Sequence, residues 1–220
     1  MTNDERTQRD EICAVGRSLF ERGYVHACAG NISVRLDDGF LITPTDACLG
    51  RLRPESLARI NLQGEQTGGD RASKTLALHR RIYDAEPEAR CVIHSHSTHV
   101  VALTLQGVWS REDILPPITP YFVMKVGHVP LIPYHRPGDP AVAELVHHQI
   151  SVSRAAGKPL RAVMLDRLGP NVWHQTLAEA GAVLEELEET ARLWLMCQPR
   201  PAPLMESQIE ALRLNFGARW

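Results

Sequence analysis

Two histidines separated by one residue are the side chains whose type and spacing best suit metal chemistry. His94 and His96 follow a short apolar run, Cys91-Val92-Ile93, whose composition favours a strand. Side chains two apart in a strand point to the same face, so both rings project to one side, about 6.5 Å apart at the backbone. Zinc binds imidazole nitrogens at about 2.0–2.1 Å, so two such rings can converge on one cation. The pattern predicts a buried strand that delivers two metal ligands to a sheet edge.

Three loops rich in small polar residues suit a different ligand, a phosphate group. Gly30-Asn31-Ile32-Ser33 follows a first helix, Thr43-Pro44-Thr45 ends a strand, and Ser73-Lys74 opens a helix. Hydroxyl groups, an amide, loop N–H groups and a helix N-terminus with a lysine are the groups that bind phosphate oxygens. Each segment alone is typical of ordinary turns and caps. Three of them beside the histidine pair indicate an anionic, phosphorylated ligand.

Helical and strand-like patterns alternate along the chain and predict one α/β domain. Helices are predicted over 4–22, 74–86, 98–105, 140–155 and 177–195, with a short helix at the end of the chain. Strands are predicted over 31–36, 40–43, 91–94, 129–133 and 161–165. Helices flanking a set of short strands favour a single three-layer α/β/α domain. A proline-rich stretch then predicts a division between a domain over 1–197 and a tail over 198–220.

Composition limits the partners and the compartment. The chain has 220 residues and a formal net charge of −2, so no basic excess favours nucleic acid or an anionic membrane. Its five cysteines are scattered and form no Cys-x-x-Cys pair, which favours reduced thiols in a cytoplasmic protein. Residues 1–11 lack the apolar core of a signal peptide, and no apolar run reaches transmembrane length. We therefore expect a soluble, cytoplasmic protein.

Several motifs taken together resemble the class II aldolase/adducin family. They occur in the family's order over essentially the whole chain, and they are Gly30-Asn31-Ile32-Ser33, Leu41-Ile42-Thr43-Pro44-Thr45, Ser73-Lys74 with His79, and Val92-Ile93-His94-Ser95-His96-Ser97. The resemblance implies a mostly antiparallel central sheet. Members include zinc-dependent sugar-phosphate aldolases and epimerases, decarboxylases, a thioribulose-phosphate dehydratase and non-catalytic adducin heads. Segments 119–124, 133–139 and 184–190 are most similar to the subgroup that decarboxylates 3-oxo-tetronate 4-phosphates.

By position, the resemblance implies roles for individual residues. His94 and His96 would bind Zn²⁺ or another divalent metal such as Mn²⁺. Tyr121 falls where the family's aldolases carry a tyrosine that transfers a proton across a subunit boundary, which implies a homotetramer with active sites between neighbours. The implied ligands of the substrate phosphate are Gly30, Asn31, Thr45, Ser73 and Lys74. His79 lies within its helix, where packing is the expected role.

Two positions depart from the family pattern. The family's acidic residue falls on Thr75, which cannot act as a carboxylate acid or base. The third zinc histidine falls on Leu168, within Asp166-Arg167-Leu168-Gly169-Pro170, and leucine cannot bind a metal. Catalytic zinc sites usually have three protein ligands, so a further donor is needed. The candidates are His99, His174 and Asp166.

The loss of the acidic residue affects the family's reactions unequally. A 3-oxo acid that loses carbon dioxide reaches an enediolate without deprotonation of a C–H bond, and then needs only a proton donor such as Tyr121 or water. Aldol cleavage also needs a base, and epimerisation needs well-placed proton transfer. We therefore expect a metal-dependent decarboxylase of a 3-oxo-tetronate 4-phosphate. The alternatives are a sugar-phosphate aldolase or epimerase, and a non-catalytic adducin-like binding or assembly domain, which Thr75 and Leu168 favour.

Overall fold

A computed structural model describes residues 3–220 and shows one sheet between two layers of helices. The strands are β1 (Asn31–Leu36), β2 (Gly39–Ile42), β3 (Ala58–Asn61), β4 (Gln66–Gly68), β5 (Cys91–His94), β6 (Leu131–Ile132), β7 (Ala162–Leu165) and β8 (Gly169–His174). The helices are α1 (Asn3–Glu21), α2 (Leu76–Ala85), α3 (Thr98–Gln106), α4 (Pro140–Ala155), α5 (Leu177–Met196) and α6 (Glu206–Phe216). Every predicted helix is therefore present, with its ends shifted by a few residues at most.

The eight strands form a sheet in the order β4-β3-β2-β1-β5-β8-β7-β6. Among the described strands, β6 and β7 run parallel, and each of the other neighbouring pairs is antiparallel. The expectation of a three-layer α/β/α domain with a mostly antiparallel sheet is confirmed. None of the helices within residues 3–220 is both long enough and apolar enough to cross a membrane.

Strand β5 is buried on both faces because each face lies under helices. Cys91 and Ile93 pack into a core with α1, α3 and α5, whereas Val92 packs into a second core with α2 and α4. Alternation along the strand places His94 on the same face as Val92. The histidine is therefore at the end of a strand whose position is fixed by two hydrophobic cores.

Strands β3, β4 and β8 were not predicted. The sequences of β4 and β8 show why those two were missed. β4 has three residues and is exposed throughout, so it lacks an apolar pattern. β8 begins with Gly169-Pro170, a pair that usually indicates a turn and rarely starts a central strand. A π-helical turn over Phe122–Val126 was also missed, because the surrounding prolines indicated a loop.

The final helix packs back onto the domain. Ile209 of α6 and Ala218 form a small core with Val123 of the π-helical turn. The Trp220 ring stacks on His128 with centroids 4.5 Å apart. The tail thus contacts the segment that follows Tyr121.

A buried carboxylate joins α5 to the start of α3, the helix that follows the histidine pair. Glu188 is 8% exposed, and its oxygens accept from the backbone N–H groups of His99, at 2.9 Å, and Val100, at 3.0 Å. The first N–H groups of a helix have no acceptor within the helix, and the helix dipole favours a negative charge there. Glu188 therefore caps α3 from a neighbouring helix.

Replacing Glu188 by alanine should lower the free energy of unfolding by about 1–3 kcal/mol, since buried N–H groups lose their acceptor. Urea unfolding followed by circular dichroism measures the change. Glu189→Ala is the matched control, because Glu189 is exposed and pairs with the exposed Arg192 at 3.4 Å. That variant should change stability by less than about 0.5 kcal/mol. Equal losses in the two variants would contradict the capping role.

Candidate active site

His94 and His96 lie side by side at the end of β5. The strand ends at His94, as predicted for 91–94, so strand alternation does not set the position of His96. The β7–β8 turn ends it, because the Ser95 N–H donates to the Pro170 carbonyl at 3.3 Å and Gly169 packs against Ser95. The two ring centroids are nevertheless 5.0 Å apart, in an edge-to-face arrangement.

The backbone of β8 orients His94. Its Nδ1 lies 3.0 Å from the Pro170 carbonyl oxygen, which assigns the proton to Nδ1 and leaves the lone pair on Nε2. Burial and the neighbouring His96 lower the pKa of His94 to about 3, so the ring is neutral at pH 7. A neutral imidazole whose Nδ1–H donates to a carbonyl is typical of histidines that bind metals through Nε2.

His96 is less buried, and a third histidine lies near it. The ring centroids of His26 and His96 are 6.3 Å apart. Burial, and then His26, lower the pKa of His96. His26 lies in an exposed loop before β1 and was missed, because a lone histidine in a loop carries no periodic signal.

The first phosphate loop passes directly against His94. Gly30 has a φ of +84°, and a Cβ there would lie 2.8 Å from the His94 carbonyl oxygen, so glycine is required. Asn31 opens β1 and pairs with His94, which places its side chain on the same face as the imidazole. Asn31 is 6% exposed, and its Oδ1 has no hydrogen-bond partner within the described residues.

The other two loops meet beside β1. The Thr43 hydroxyl accepts from the Ile32 N–H at 3.1 Å, and the Thr43 carbonyl accepts from the Ser73 N–H at 3.2 Å. The Thr45 N–H donates to the Arg71 carbonyl at 2.9 Å. These contacts bring Thr45 and Ser73 next to the start of β1. Lys74 is exposed at the start of the turn that leads into α2.

Tyr121 lies on the outer surface. It is 60% exposed, and it immediately precedes the π-helical turn, whose Phe122 and Val126 pack into the core that contains α5. No ring contact joins it to His94 or His96 in the part of the chain that the structure describes. Tyr121 is therefore a surface residue on its own chain.

The expected third metal ligands do not join the pair. His99 Nδ1 lies 2.8 Å from Glu188, and His174 is at the far end of the β5–β8 pairing, opposite Cys91. Within residues 3–220, no three histidine, cysteine, aspartate or glutamate side chains are placed to hold one metal ion, so Asp166 does not complete the set either. The neutral, oriented imidazoles fit a divalent cation as two of its ligands. A third donor from this chain would then be of another type.

Leu168 and Thr75, the two positions that depart from the family pattern, make packing and hydrogen-bond contacts. Leu168 is half-buried and packs against the core that contains α2 and α4. The hydroxyl of Thr75 lies 2.9 Å from that of Ser73, at the N-cap of α2. Neither residue offers an acid, a base or a nitrogen ligand.

A buried hydrogen-bonded chain lies under the site. His79 Nδ1 lies 2.7 Å from the Ser33 hydroxyl, which lies 2.7 Å from the Tyr83 hydroxyl. His79 is fully buried, and its Nε2 has no partner in the described structure. Burial, and then His94, lower the pKa of His79 to about 3. The packing role expected for His79 is consistent with these contacts.

Comparison with known proteins identifies related chains. The family described as Class II Aldolase and Adducin N-terminal domain matches residues 10–195. A 3-oxo-tetronate 4-phosphate decarboxylase of Cupriavidus necator is 54% identical over 98% of this chain and 99% of its own. One of Escherichia coli strain K12 is 42% identical over 90% of each chain. The crystal structure of YgbL from Klebsiella pneumoniae superposes with a TM-score of 0.87, at 39% identity, and covers 97% of this chain and all of YgbL.

The buried His79 should make stability depend on pH. The folded chain releases the His79 proton near pH 3, whereas the ordinary value is 6.5, so only the unfolded chain is protonated between these values. Stability is therefore full above about pH 6.5 and falls as the pH is lowered, by up to about 1.4 kcal/mol per pH unit for each such histidine.

Guanidinium unfolding of metal-free protein between pH 7 and pH 4.5 tests this expectation. His79→Gln should give a shallower loss of stability with acid than wild type. His148→Gln, at an exposed position of α4, is the control and should keep the wild-type slope. A wild-type slope in His79→Gln would show that the buried imidazole does not take part.

Proposed function

Because this chain belongs to the class II aldolase and adducin family, we propose that it is a metal-dependent decarboxylase of a 3-oxo-tetronate 4-phosphate. One observation carries the proposal: two neutral imidazoles lie side by side next to the loops suited to phosphate. Similarity over nearly the whole chain to decarboxylases of this substrate supports it.

The protein's own residues would bind the two ends of the substrate. Thr45, Ser73 and Lys74 offer hydroxyl, backbone N–H and ammonium donors to the phosphate. His94 and His96 would hold Zn²⁺ or Mn²⁺. When bound, such an ion supplies Lewis-acid chemistry that stabilises the negative charge developing on the reacting oxygens.

The reaction suits a site without a carboxylate base. The bond between C1 and C2 of the 3-oxo acid breaks, carbon dioxide leaves, and the electron pair is delocalised onto the C3 oxygen as an enediolate. One proton then goes to C2, which gives a three-carbon ketose phosphate. No C–H bond is deprotonated, so the replacement of the family's acidic residue by Thr75 removes nothing that this step requires.

The proton donor that we propose is Tyr121 of a neighbouring subunit. Tyr121 is 60% exposed on its own chain, as expected for a residue that completes a site on another copy. We further propose a homotetramer in the cytoplasm, where the five free thiols stay reduced. Light scattering of the purified protein gives the assembly mass.

A non-catalytic binding domain is the second candidate. The observation that favours it is that residues 3–220 contain no three-residue set of histidine, cysteine or acidic metal ligands. A sugar-phosphate aldolase or epimerase is disfavoured, because Thr75 leaves those reactions without the family's acidic residue.

Purified protein supplied with Mn²⁺ or Zn²⁺ should release carbon dioxide from a 3-oxo-tetronate 4-phosphate. His96→Ala should abolish both metal uptake and turnover, because His94 would then be the single imidazole left to hold the ion. Tyr121→Phe should lower kcat by about 10²–10⁴-fold while it leaves metal content unchanged. His148→Ala, at an exposed position of α4, is the control for loss of a histidine. Metal uptake without carbon dioxide release would overturn the decarboxylase proposal, and neither metal uptake nor release would favour the binding domain.

Lys74→Ala should raise KM for the phosphorylated substrate about tenfold with little change in kcat, as expected when one charge-assisted hydrogen bond is lost. Steady-state kinetics at fixed ionic strength measure both constants. Lys158→Ala removes another exposed lysine, after α4, and should leave KM unchanged. Equal KM values for wild type and Lys74→Ala would exclude Lys74 as a phosphate ligand.

A further inference from the structure

Asn171 is a buried amide without a hydrogen-bond partner beside His94. It lies on β8 directly opposite His94, so its side chain is on the same sheet face as the imidazole. The residue is fully buried, and neither its Oδ1 nor its Nδ2 has a partner in the described structure. Burial of a polar group without a hydrogen-bond partner is unfavourable, so a buried amide with both atoms free points to a ligand.

Backbone contacts hold the start of β8 against both histidines. The carbonyl of Pro170, the residue before Asn171, lies 3.0 Å from His94 Nδ1. A Cβ at Gly169 would overlap the Ser95 carbonyl oxygen and lie 3.3 Å from the His96 Cα. The first residues of β8 therefore lie along the His94–His96 segment.

The choice of donor follows from what else surrounds His94. Histidine, cysteine and acidic side chains form no three-residue metal set in residues 3–220, and Leu168 is apolar. The buried amides that pair with His94 are Asn31 and Asn171. Asn31 belongs to the loop that we assign to the phosphate, which leaves Asn171.

We propose that the Asn171 Oδ1 is the third protein donor to the divalent cation held by His94 and His96. This inference rests on the proposed function, because it presumes a cation at the histidine pair. An amide oxygen is a harder donor than an imidazole, and carbonyl oxygens suit Mn²⁺ whereas imidazoles suit Zn²⁺. A site of two imidazoles and an amide should therefore bind Zn²⁺ more tightly than Mn²⁺ by a smaller factor than a site of three imidazoles.

The test is metal affinity, measured without substrate. Metal-free protein is titrated with Mn²⁺, followed by the electron paramagnetic resonance signal of free Mn²⁺, and with Zn²⁺ against a chelating dye. Asn171→Leu keeps the volume and removes the donor, so both affinities should fall at least about tenfold. Asn171→Asp supplies a charged oxygen at the same place and should bind Mn²⁺ at least as tightly as wild type.

Trp173→Phe is the matched control. Trp173 is two residues further along β8 on the same face, is 2% exposed, and also has an unpartnered buried atom, Nε1. Its replacement removes a buried polar group farther from His94 and should leave both affinities unchanged. Circular dichroism melts check that each variant is folded.

Leu168→His in the Asn171→Leu background provides the complementary experiment. A third imidazole should restore zinc affinity more than manganese affinity, since it replaces an oxygen donor by nitrogen. Wild-type affinity in Asn171→Leu overturns the role of Asn171 and leaves the proposed function standing. If Asn171→Leu does not fold, weaker Mn²⁺ binding by Asn171→Asp than by wild type overturns it. Wild-type protein that binds neither ion overturns the metal site itself.

Discussion

The antiparallel pairing of β5 with β1 on one side and β8 on the other determines where the polar groups of the candidate site lie. Because paired residues share a face, Asn31 and Asn171 flank His94 in a row across three strands. Both faces of β5 are buried under helices, so the row has a fixed depth and direction. The loops suited to phosphate reach the same edge through β1. The chemistry proposed for this chain therefore depends on the register in which β5 pairs with β1 and with β8.

Local sequence signals predicted the elements that satisfy their own hydrogen bonds or have strong apolar periodicity. At the starts of α4 and α5, the side chains of Asp139 and Thr176 accept hydrogen bonds from nearby backbone N–H groups, an arrangement that short polar residues next to a helix start favour. β8 could not be predicted in this way. Its Gly169-Pro170 start is stabilised by pairing with β5 and β7, which are distant in the sequence.

The residues of the candidate site also differ in this respect: local sequence signals predict some of them, and contacts between distant segments place the others. The histidine pair was found from its spacing, although the turn after β5, and not strand alternation, places His96 beside His94. A single sequence does not predict that Asn171 is buried beside His94, because an asparagine in a short segment is typical of a turn. Its position follows from the pairing of β8 with β5. The positions of Thr45 and Ser73 likewise depend on contacts between loops about thirty residues apart.

The tight turn at Gly169 has an evolutionary consequence. Its close approach to Ser95 is made by backbone atoms, whereas the side chain of the neighbouring Leu168 packs against the core that contains α2 and α4. The backbone of the turn can therefore be kept while the residue beside Gly169 is exchanged during evolution, with the loss of one side-chain contact to that core.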